Sequence, residues 1–378
     1  MRLVLLVTSP RVPPGALTWE AWQALREGVV FTRDQDHPQR PALAAAGITT
    51  EAVDPQHPPA AIARILRSAA EQRGTAVWLA GPAGDDDIGR ALGDMATRMS
   101  EVGPVGAEEP IEIEVVHGSW DAPGARLLDV VATMDRLRSP GGCPWDAQQT
   151  HDSLAPYLLE EAYEAFQAIE DDDSAALREE LGDVLLQVAF HARLAEEREE
   201  PERWTIDDVA AGLVDKLVRR HPHVFGDVEV DGADDVVTNW DAIKAAEKGR
   251  ASAVEGVPMS SPALTLAQTL QRKAAKLGLP ADLLTPELAA AEGAGAAVAA
   301  LAAAYDDEPT LDSAGALLWA VIAALRSHDI DGEAALRARA RAFRDRLATV
   351  ERDVHADEID VRDLDHVAWR ERWDAGED

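Results

Sequence analysis

The chain has 378 residues, with 69 acidic against 36 basic side chains and a formal charge of −33. That balance excludes a nucleic-acid polymer or an anionic membrane as main partner, since both need a basic face. A single cysteine, Cys143, excludes an intramolecular disulfide and a cysteine-based zinc cluster, and no apolar run of about 18 residues marks a membrane span or leader. The expectation is a cytoplasmic protein of two or three domains.

In chain order, Leu3 to Val7 is an apolar run of strand length ending in Thr8-Ser9-Pro10. Ala76 to Ala80 and Ile111 to Val116 read as further strands, with helical stretches such as Ile62 to Gln72 between them. Alternating strands and helices predict a small α/β domain over residues 1–118, closed by a linker from His117 to Gly124. From Ala125 onward the pattern is helical. The spacing predicts helices over Arg126–Arg138, about Ser153 to Glu170 with Asp152 or Ser153 as N-cap, Ala175–Glu200, Ile206–Arg220 and Asp234–Lys248. A further all-α block runs from Pro262 to about Val354. The fold class is therefore mainly α: a helical domain over 122–250, a second over 251–378, and the small N-terminal α/β domain.

The informative segment is Glu160-Glu161-Ala162-Tyr163-Glu164, followed by Glu180-Leu181-Gly182-Asp183. Glu161 and Glu164 share a helix face, as do Glu180 and Asp183. The two helices are joined by a short polar turn, so they run antiparallel as neighbours. Glu164 and Glu180 each stand six residues from that turn, about 9 Å along the axis, and Glu161 and Asp183 each stand nine. Four carboxylates thus converge on one seam, flanked by Leu158, Ala162, Ala165, Phe166 and Ile169 on one helix and by Leu181, Val184, Leu185, Val188 and Phe190 on the other. Carboxylates gathered beside a core repel one another unless a cation lies between them, and Mg²⁺ favours such oxygen ligands. A di-iron bundle would need Glu-x-x-His on two helices; the residues three after Glu160, Glu161, Glu164 and Glu180 are Tyr, Glu, Gln and Asp. Downstream, Lys216, Arg219 and Arg220 form a basic cluster suited to phosphate oxygens, followed by His221 and His223 at a helix end. Trp240, with Lys244 one turn later, offers a ring on which a nucleobase can stack.

The ordered segments Gly142-Cys143-Pro144-Trp145-Asp146, Gln149-Thr150, Tyr157 to Glu164, Glu179 to Asp183 and Lys216 to Phe225 closely resemble the MazG nucleoside triphosphate pyrophosphohydrolases over about residues 122–250. The resemblance implies an all-α, homodimeric bundle that converts a nucleoside triphosphate to monophosphate and pyrophosphate with Mg²⁺ (Mn²⁺ substituting), in nucleotide-pool house-cleaning. Carried over by position, Glu161, Glu164, Glu180 and Asp183 match the metal ligands. Lys216, Arg219 and Arg220 match the phosphate-contacting segment, and Trp240 and Lys244 the base-side and tail contacts. Glu160, Glu164 and Lys216 are the candidate catalytic groups, Glu160 for orienting or deprotonating water.

The block after 251 looks like a decayed repeat of the first bundle, with Gly315-Ala316-Leu317-Leu318 paralleling Gly182-Asp183-Val184-Leu185. In that register Gly293, Ala294, Ala297, Ser313 and Ala316 replace Glu160, Glu161, Glu164, Glu180 and Asp183; Ala342 replaces Lys216, while Arg346 matches Arg220. The N-terminal block faintly resembles tetrapyrrole methylase domains, yet one glycine remains in Thr8 to Gly15 where such domains carry a glycine-rich cofactor loop, so no methyl transfer is expected. The competing functional class is a non-catalytic, nucleotide-sensing or protein-docking adaptor descended from the same family.

Overall fold

The structure is a computed structural model, and it describes all residues except 83, 103–110, 231, 233–235, 237–239, 241–242, 244–251, 285–292 and 376–378. The chain divides into two compact units, Met1–Leu217 and Val218–Asp378.

The first unit opens with a sheet of five parallel strands: β1 (Arg2–Val7), β2 (Val29–Thr32), β3 (Thr50–Ala52), β4 (Thr75–Leu79) and β5 (Glu112–His117), in the order β3-β2-β4-β1-β5. Four helices alternate with them: α1 (Trp19–Glu27), α2 (Arg40–Ala45), α3 (Pro59–Arg73) and α4 (Asp86–Val102). Successive strand residues point to opposite faces, so each strand feeds two cores. Leu3, Phe31 and Trp78 pack with Ile62, Leu66, Ile88 and Leu92 of α3 and α4. Val4, Leu6, Val30 and Val77 pack on the other side with Ala21, Leu25 and Leu43 of α1 and α2. Covered on both faces, the inner strands β1, β2 and β4 read as largely apolar runs, as in doubly wound folds, whereas the edge strands β3 and β5 carry glutamates. The short β2 and the three-residue edge strand β3 add two strands to the three legible in the sequence.

The loop after β1 ties this domain to the helices that follow. Ser9 Oγ donates to Asp121, and Ser119 Oγ accepts from the Ser9 amide at 2.9 Å. Arg11 pairs with Asp121 at 2.6 Å and donates through Nε to Asp129 at 2.8 Å. Asp129 belongs to α5 (Arg126–Arg138), so one arginine spans the α/β domain, the linker and the first bundle helix.

That bundle continues with α6 (His151–Glu170) and α7 (Ser174–Glu196), joined by the turn Asp171-Asp172-Asp173. Asp172 takes a left-handed conformation with φ of 54°, tolerated by aspartate, and Asp173 Oδ1 caps α7 by accepting from the Ala175 and Ala176 amides. The N-cap of α6 is Thr150, two residues before Asp152 and three before Ser153, the caps expected from sequence: Thr150 and Ser153 close a reciprocal capping box, which makes Ser153 the third helical residue and not the cap. Helix α7 stops at Glu196 rather than Glu200, ahead of the restriction that Pro201 places on its predecessor. Helix α5 is clamped to α7 by Arg138–Glu197 at 2.8 Å and Arg193–Asp135 at 3.0 Å, over a core of Met134, Leu154, Phe190 and Leu194. Between α5 and α6 the chain returns sharply at Gly142, where a Cβ would come within 2.1 Å of the Leu137 carbonyl oxygen; only glycine fits. Helix α8 (Ile206–Arg220) follows, with no buried residue.

The second unit contains the short α9 (Pro222–Phe225), then α10 (Ala263–Lys276), α11 (Ala281–Leu284), α12 (Ala294–Asp307), α13 (Leu311–Arg326), α14 (Gly332–Ala356) and α15 (His366–Ala375) among its described residues. Helices α12 and α13 form a hairpin, and α10 lies on α13. Gln271 of α10, fully buried, donates to the Trp319 carbonyl at 2.9 Å, and the Trp319 indole donates to the Leu284 carbonyl at 2.9 Å. The helix expected over Asp234–Lys248 lies mostly outside the described residues; Val236, Trp240 and Ile243 are helical within it. Among the described residues, no helix is long and apolar enough to cross a membrane.

Candidate metal centre

The α6–α7 hairpin brings Glu161, Glu164 and Glu180 together: each offers a carboxylate oxygen within 4.8 Å of the others. Level placement about the turn does this, as the register predicts. Asp183, also level with Glu161, is close enough to act on both Glu161 and Glu180 electrostatically.

Partial burial pushes the Glu161 carboxyl above its ordinary range, and the charges of Asp183, Glu164, Glu160 and Glu180 push it further. Glu180 is raised likewise, first by burial, then by Glu164, Asp183 and Glu179, with Glu164 also in hydrogen-bond contact. Like charges held together beside apolar side chains favour the protonated form unless a cation compensates them. The donor set therefore fits a hard divalent ion: it is all oxygen, anionic, and gathered within one ion's reach. Glu160 is exposed on α6, one position from Glu161.

The surroundings are more open than the sequence suggested. Of the expected apolar flanks, Ala165 and Phe190 are buried, but Leu158, Phe166, Ile169, Leu181 and Val188 are exposed. Within the first unit, α5 packs against α7, and among the described residues the other face of the hairpin is left open. Leu159, Tyr163 and Leu186 extend this uncovered surface.

Lys216 is exposed on α8 at the end of the first unit, while Arg219, Arg220 and Trp240 belong to the second. There the Arg220 guanidinium lies over the Trp240 ring, 5.4 Å from its centroid, and the His221 ring meets the indole edge-on at 5.0 Å. The indole face foreseen for a base thus carries a cation of the chain itself. His223, in the short α9, packs at a tilt against His221 with ring centroids 5.5 Å apart. Lys244 lies outside the described residues.

Two features escaped the sequence reading. Trp145 meets Tyr157 edge-on at 6.4 Å, and Tyr157 lies one turn before Glu161 on the same helix face. His151 and His191, forty positions apart, share a hydrogen bond of 2.8 Å between their Nδ1 atoms. Helical spacing gave the signal for Tyr157. Nothing local signalled the histidine pair.

Comparison with known proteins places this geometry. The family described as MazG nucleotide pyrophosphohydrolase domain matches residues 149–225, which take in α6, α7 and α8. An uncharacterized 26.1 kDa protein from Streptomyces cacaoi is 44% identical over 241 residues, 64% of this chain and 88% of its own length. The nucleoside triphosphate pyrophosphohydrolase/pyrophosphatase MazG of Thermotoga maritima is 38% identical over 253 residues, 66% of this chain and 95% of its own. The nucleoside triphosphate pyrophosphohydrolase of Escherichia coli K12 is 37% identical over 254 residues, 66% of this chain and 94% of its own. With relatives of that identity covered almost end to end, and with the carboxylates meeting on the hairpin inside the matched segment, the chain belongs to the MazG family.

Proposed function

We propose that this chain is a Mg²⁺-dependent nucleoside triphosphate pyrophosphohydrolase, with Mn²⁺ able to substitute, releasing monophosphate and pyrophosphate in nucleotide-pool house-cleaning in the cytoplasm. The observation that carries the reading is the meeting of Glu161, Glu164 and Glu180 within 4.8 Å; relatives that bear this activity in their names support it. Glu161, Glu164, Glu180 and Asp183 would hold the metal, which when bound supplies polarisation of phosphate oxygens and activation of water. Glu160 orients the attacking water or takes its proton. Lys216, Arg219 and Arg220 neutralise charge on the phosphate chain. Trp240 and Lys244 hold the base and tail, the indole exchanging its contact with Arg220 for the nucleobase.

The uncovered face of the first hairpin, with Leu159, Tyr163, Phe166, Ile169 and Leu181 in view, supports a homodimer in which a second copy supplies the missing layer. The N-terminal domain reads as a scaffold, since the loop at Ser9–Arg11 is engaged in ties to Asp121 and Asp129. The bundle after residue 251 reads as a second copy serving packing.

The test is product analysis with Mg²⁺ and a panel of canonical and modified triphosphates. Monophosphate plus pyrophosphate is expected, and Glu164→Gln or Asp183→Asn should lower turnover by about 10²-fold or more with helical content unchanged. Orthophosphate plus diphosphate, or near-normal turnover in either variant, contradicts the assignment.

A further inference from the structure

We infer that His151 and His191 form a one-proton latch that positions α6 against α7 and so keeps the carboxylate seam in register. This rests on the proposed hydrolase reading and assigns that site a positioning element far from its ligands.

The geometry begins with the rings. Their planes agree within 1°, and their centroids are 5.1 Å apart while the two Nδ1 atoms are 2.8 Å apart. The centroid separation exceeds the nitrogen separation by about two ring radii, so the rings lie edge to edge along a hydrogen bond and are not stacked face to face. Such a contact requires one protonated and one bare nitrogen; two N–H groups or two lone pairs repel.

The burial pattern assigns the proton. His191 Nε2 is buried without a partner. Were His191 the acceptor at Nδ1, its Nε2–H would be an unsatisfied buried donor, the costlier orphan. His191 therefore donates Nδ1–H to His151 Nδ1, and His151 carries its own proton on Nε2.

The position explains the consequence. His151 is the first residue of α6, and His191 lies five residues before the end of α7. The pair closes the hairpin at the end opposite the Asp171–Asp173 turn. Glu161 is ten residues from His151 and Asp183 eight from His191, about 15 and 12 Å along the axes, so the seam lies between two fixed ends.

The charged groups around the latch are committed elsewhere. On α5, Asp135 pairs with Arg193 of α7, and Arg138 pairs with Glu197 while lying over the Phe190 ring at 5.5 Å. In the loop before α6, the buried Asp146 accepts from Arg138 through its backbone carbonyl, and on α6 Asp152 is exposed. Among the described residues, no carboxylate bonds either imidazole. Burial, with the charge of His151 second, holds His191 below the ordinary histidine range. A second proton must therefore either face one N–H against another or sit on the buried Nε2 edge. The first breaks the Nδ1–Nδ1 hydrogen bond outright; the second leaves that bond but places a charge on an edge buried without a partner, which is relieved only when the ring moves out to water. Either way the latch opens and the first turns of α6 are freed.

The test uses the full chain with saturating Mg²⁺ and a nucleoside triphosphate, measuring kcat from about pH 5.5 to about pH 8.5. A one-proton latch predicts a wild-type fall of about tenfold per pH unit below the pair's pKa. His191→Gln keeps a donor toward His151 but does not titrate; it should match the wild type at about pH 8 within about twofold and lose that limb down to the range set by the carboxylates. An unchanged limb in His191→Gln overturns the latch. Independently of activity, ¹⁵N NMR of the wild-type imidazoles should show His191 protonated at Nδ1. Amide exchange over His151–Tyr157, corrected for intrinsic rate, should rise as the pair takes its second proton. Two histidines titrating separately near 6.5 with unchanged exchange overturn it, whether or not the protein hydrolyses triphosphates or the glutamine variant folds.

Discussion

The two helical hairpins of this chain share a construction and differ in what they place at its centre. Helices α6 and α7 meet through a three-residue turn with α5 against α7; α12 and α13 meet through a short link with α10 against α13. A Thr–Ser capping box opens a helix in each, Thr150–Ser153 on α6 and Thr310–Ser313 on α13. In the first hairpin Glu161, Glu164 and Glu180 crowd together, and the carboxyls of Glu161 and Glu180 are held above their ordinary range. In the second, the positions that the proposed repeat sets opposite them hold small or hydroxyl side chains: Ala297 is fully buried, and Ser313 and Ala316 are half-buried. Small residues let two helices close, whereas carboxylates hold them to a repulsive seam that a cation or protonation relieves. The comparison teaches that the first hairpin sacrifices stability to gather carboxylates, as the proposed metal site requires, and the second does not.

The comparison is broken most severely by moving a carboxylate across. Ala297→Glu should destabilise the protein by about 3–5 kcal/mol, because it buries an unpaired charge in a closed position. Urea denaturation checks this; a loss no larger than that of a surface substitution would mean that α12 and α13 are as open as α6 and α7.

Smaller, and opposite in sign, is the effect of supplying the cation. At about a hundredfold excess over its Kd, Mg²⁺ should stabilise the wild type by about 2.7 kcal/mol. A Glu161→Gln/Glu164→Gln double variant should show none of it. The pH dependence follows from the raised carboxyls of Glu161 and Glu180. Raised folded values mean that their contribution to stability is fully present below the unfolded carboxyl pKa of about 4.3 and is lost as pH rises through the folded values. Metal-free protein should therefore lose stability over that rise, relative to Glu161→Gln/Glu180→Gln. With Mg²⁺ the loss should disappear, because protons then compete with the metal. Urea midpoints in EDTA and in Mg²⁺ separate the cases; identical slopes in wild type and variant would remove the repulsive seam from the account.

The smallest effect sharpens what the hairpins share. Thr150→Ala and Thr310→Ala each remove one capping box and should each cost about 1 kcal/mol by thermal unfolding. A large difference between them would mark one helix start as bearing more than its cap.

Much of this was legible because helices announce themselves locally. The periodicity of α6 and α7 and the short turn between them were enough to place Glu161, Glu164 and Glu180 level, since rise per residue is fixed. Local pattern failed where length or partnership decided the outcome. β3 is three residues, Thr50-Glu51-Ala52, two of them exposed, and carries no apolar run; β2 is four residues following Gly28. The start of α6 was misplaced because Asp152 and Ser153 both look like caps, while the reciprocal bond that selects Thr150 is a matter of geometry. The flanks of the seam were read as core from their apolar side chains, yet Phe166, Ile169 and Leu181 remain exposed among the described residues, because burial depends on a facing layer and not on side-chain type alone. Arg11 reaching Asp129, and His151 reaching His191, are pairings between distant positions that no spacing rule encodes.

The most direct measurement is diffraction from crystals soaked with Mn²⁺ and a non-hydrolysable triphosphate analogue, at the manganese absorption edge. The account predicts an anomalous peak enclosed by the oxygens of Glu161, Glu164, Glu180 and Asp183, with a phosphate oxygen on its open side. A peak elsewhere, or those four side chains turned to solvent around an empty seam, would contradict it.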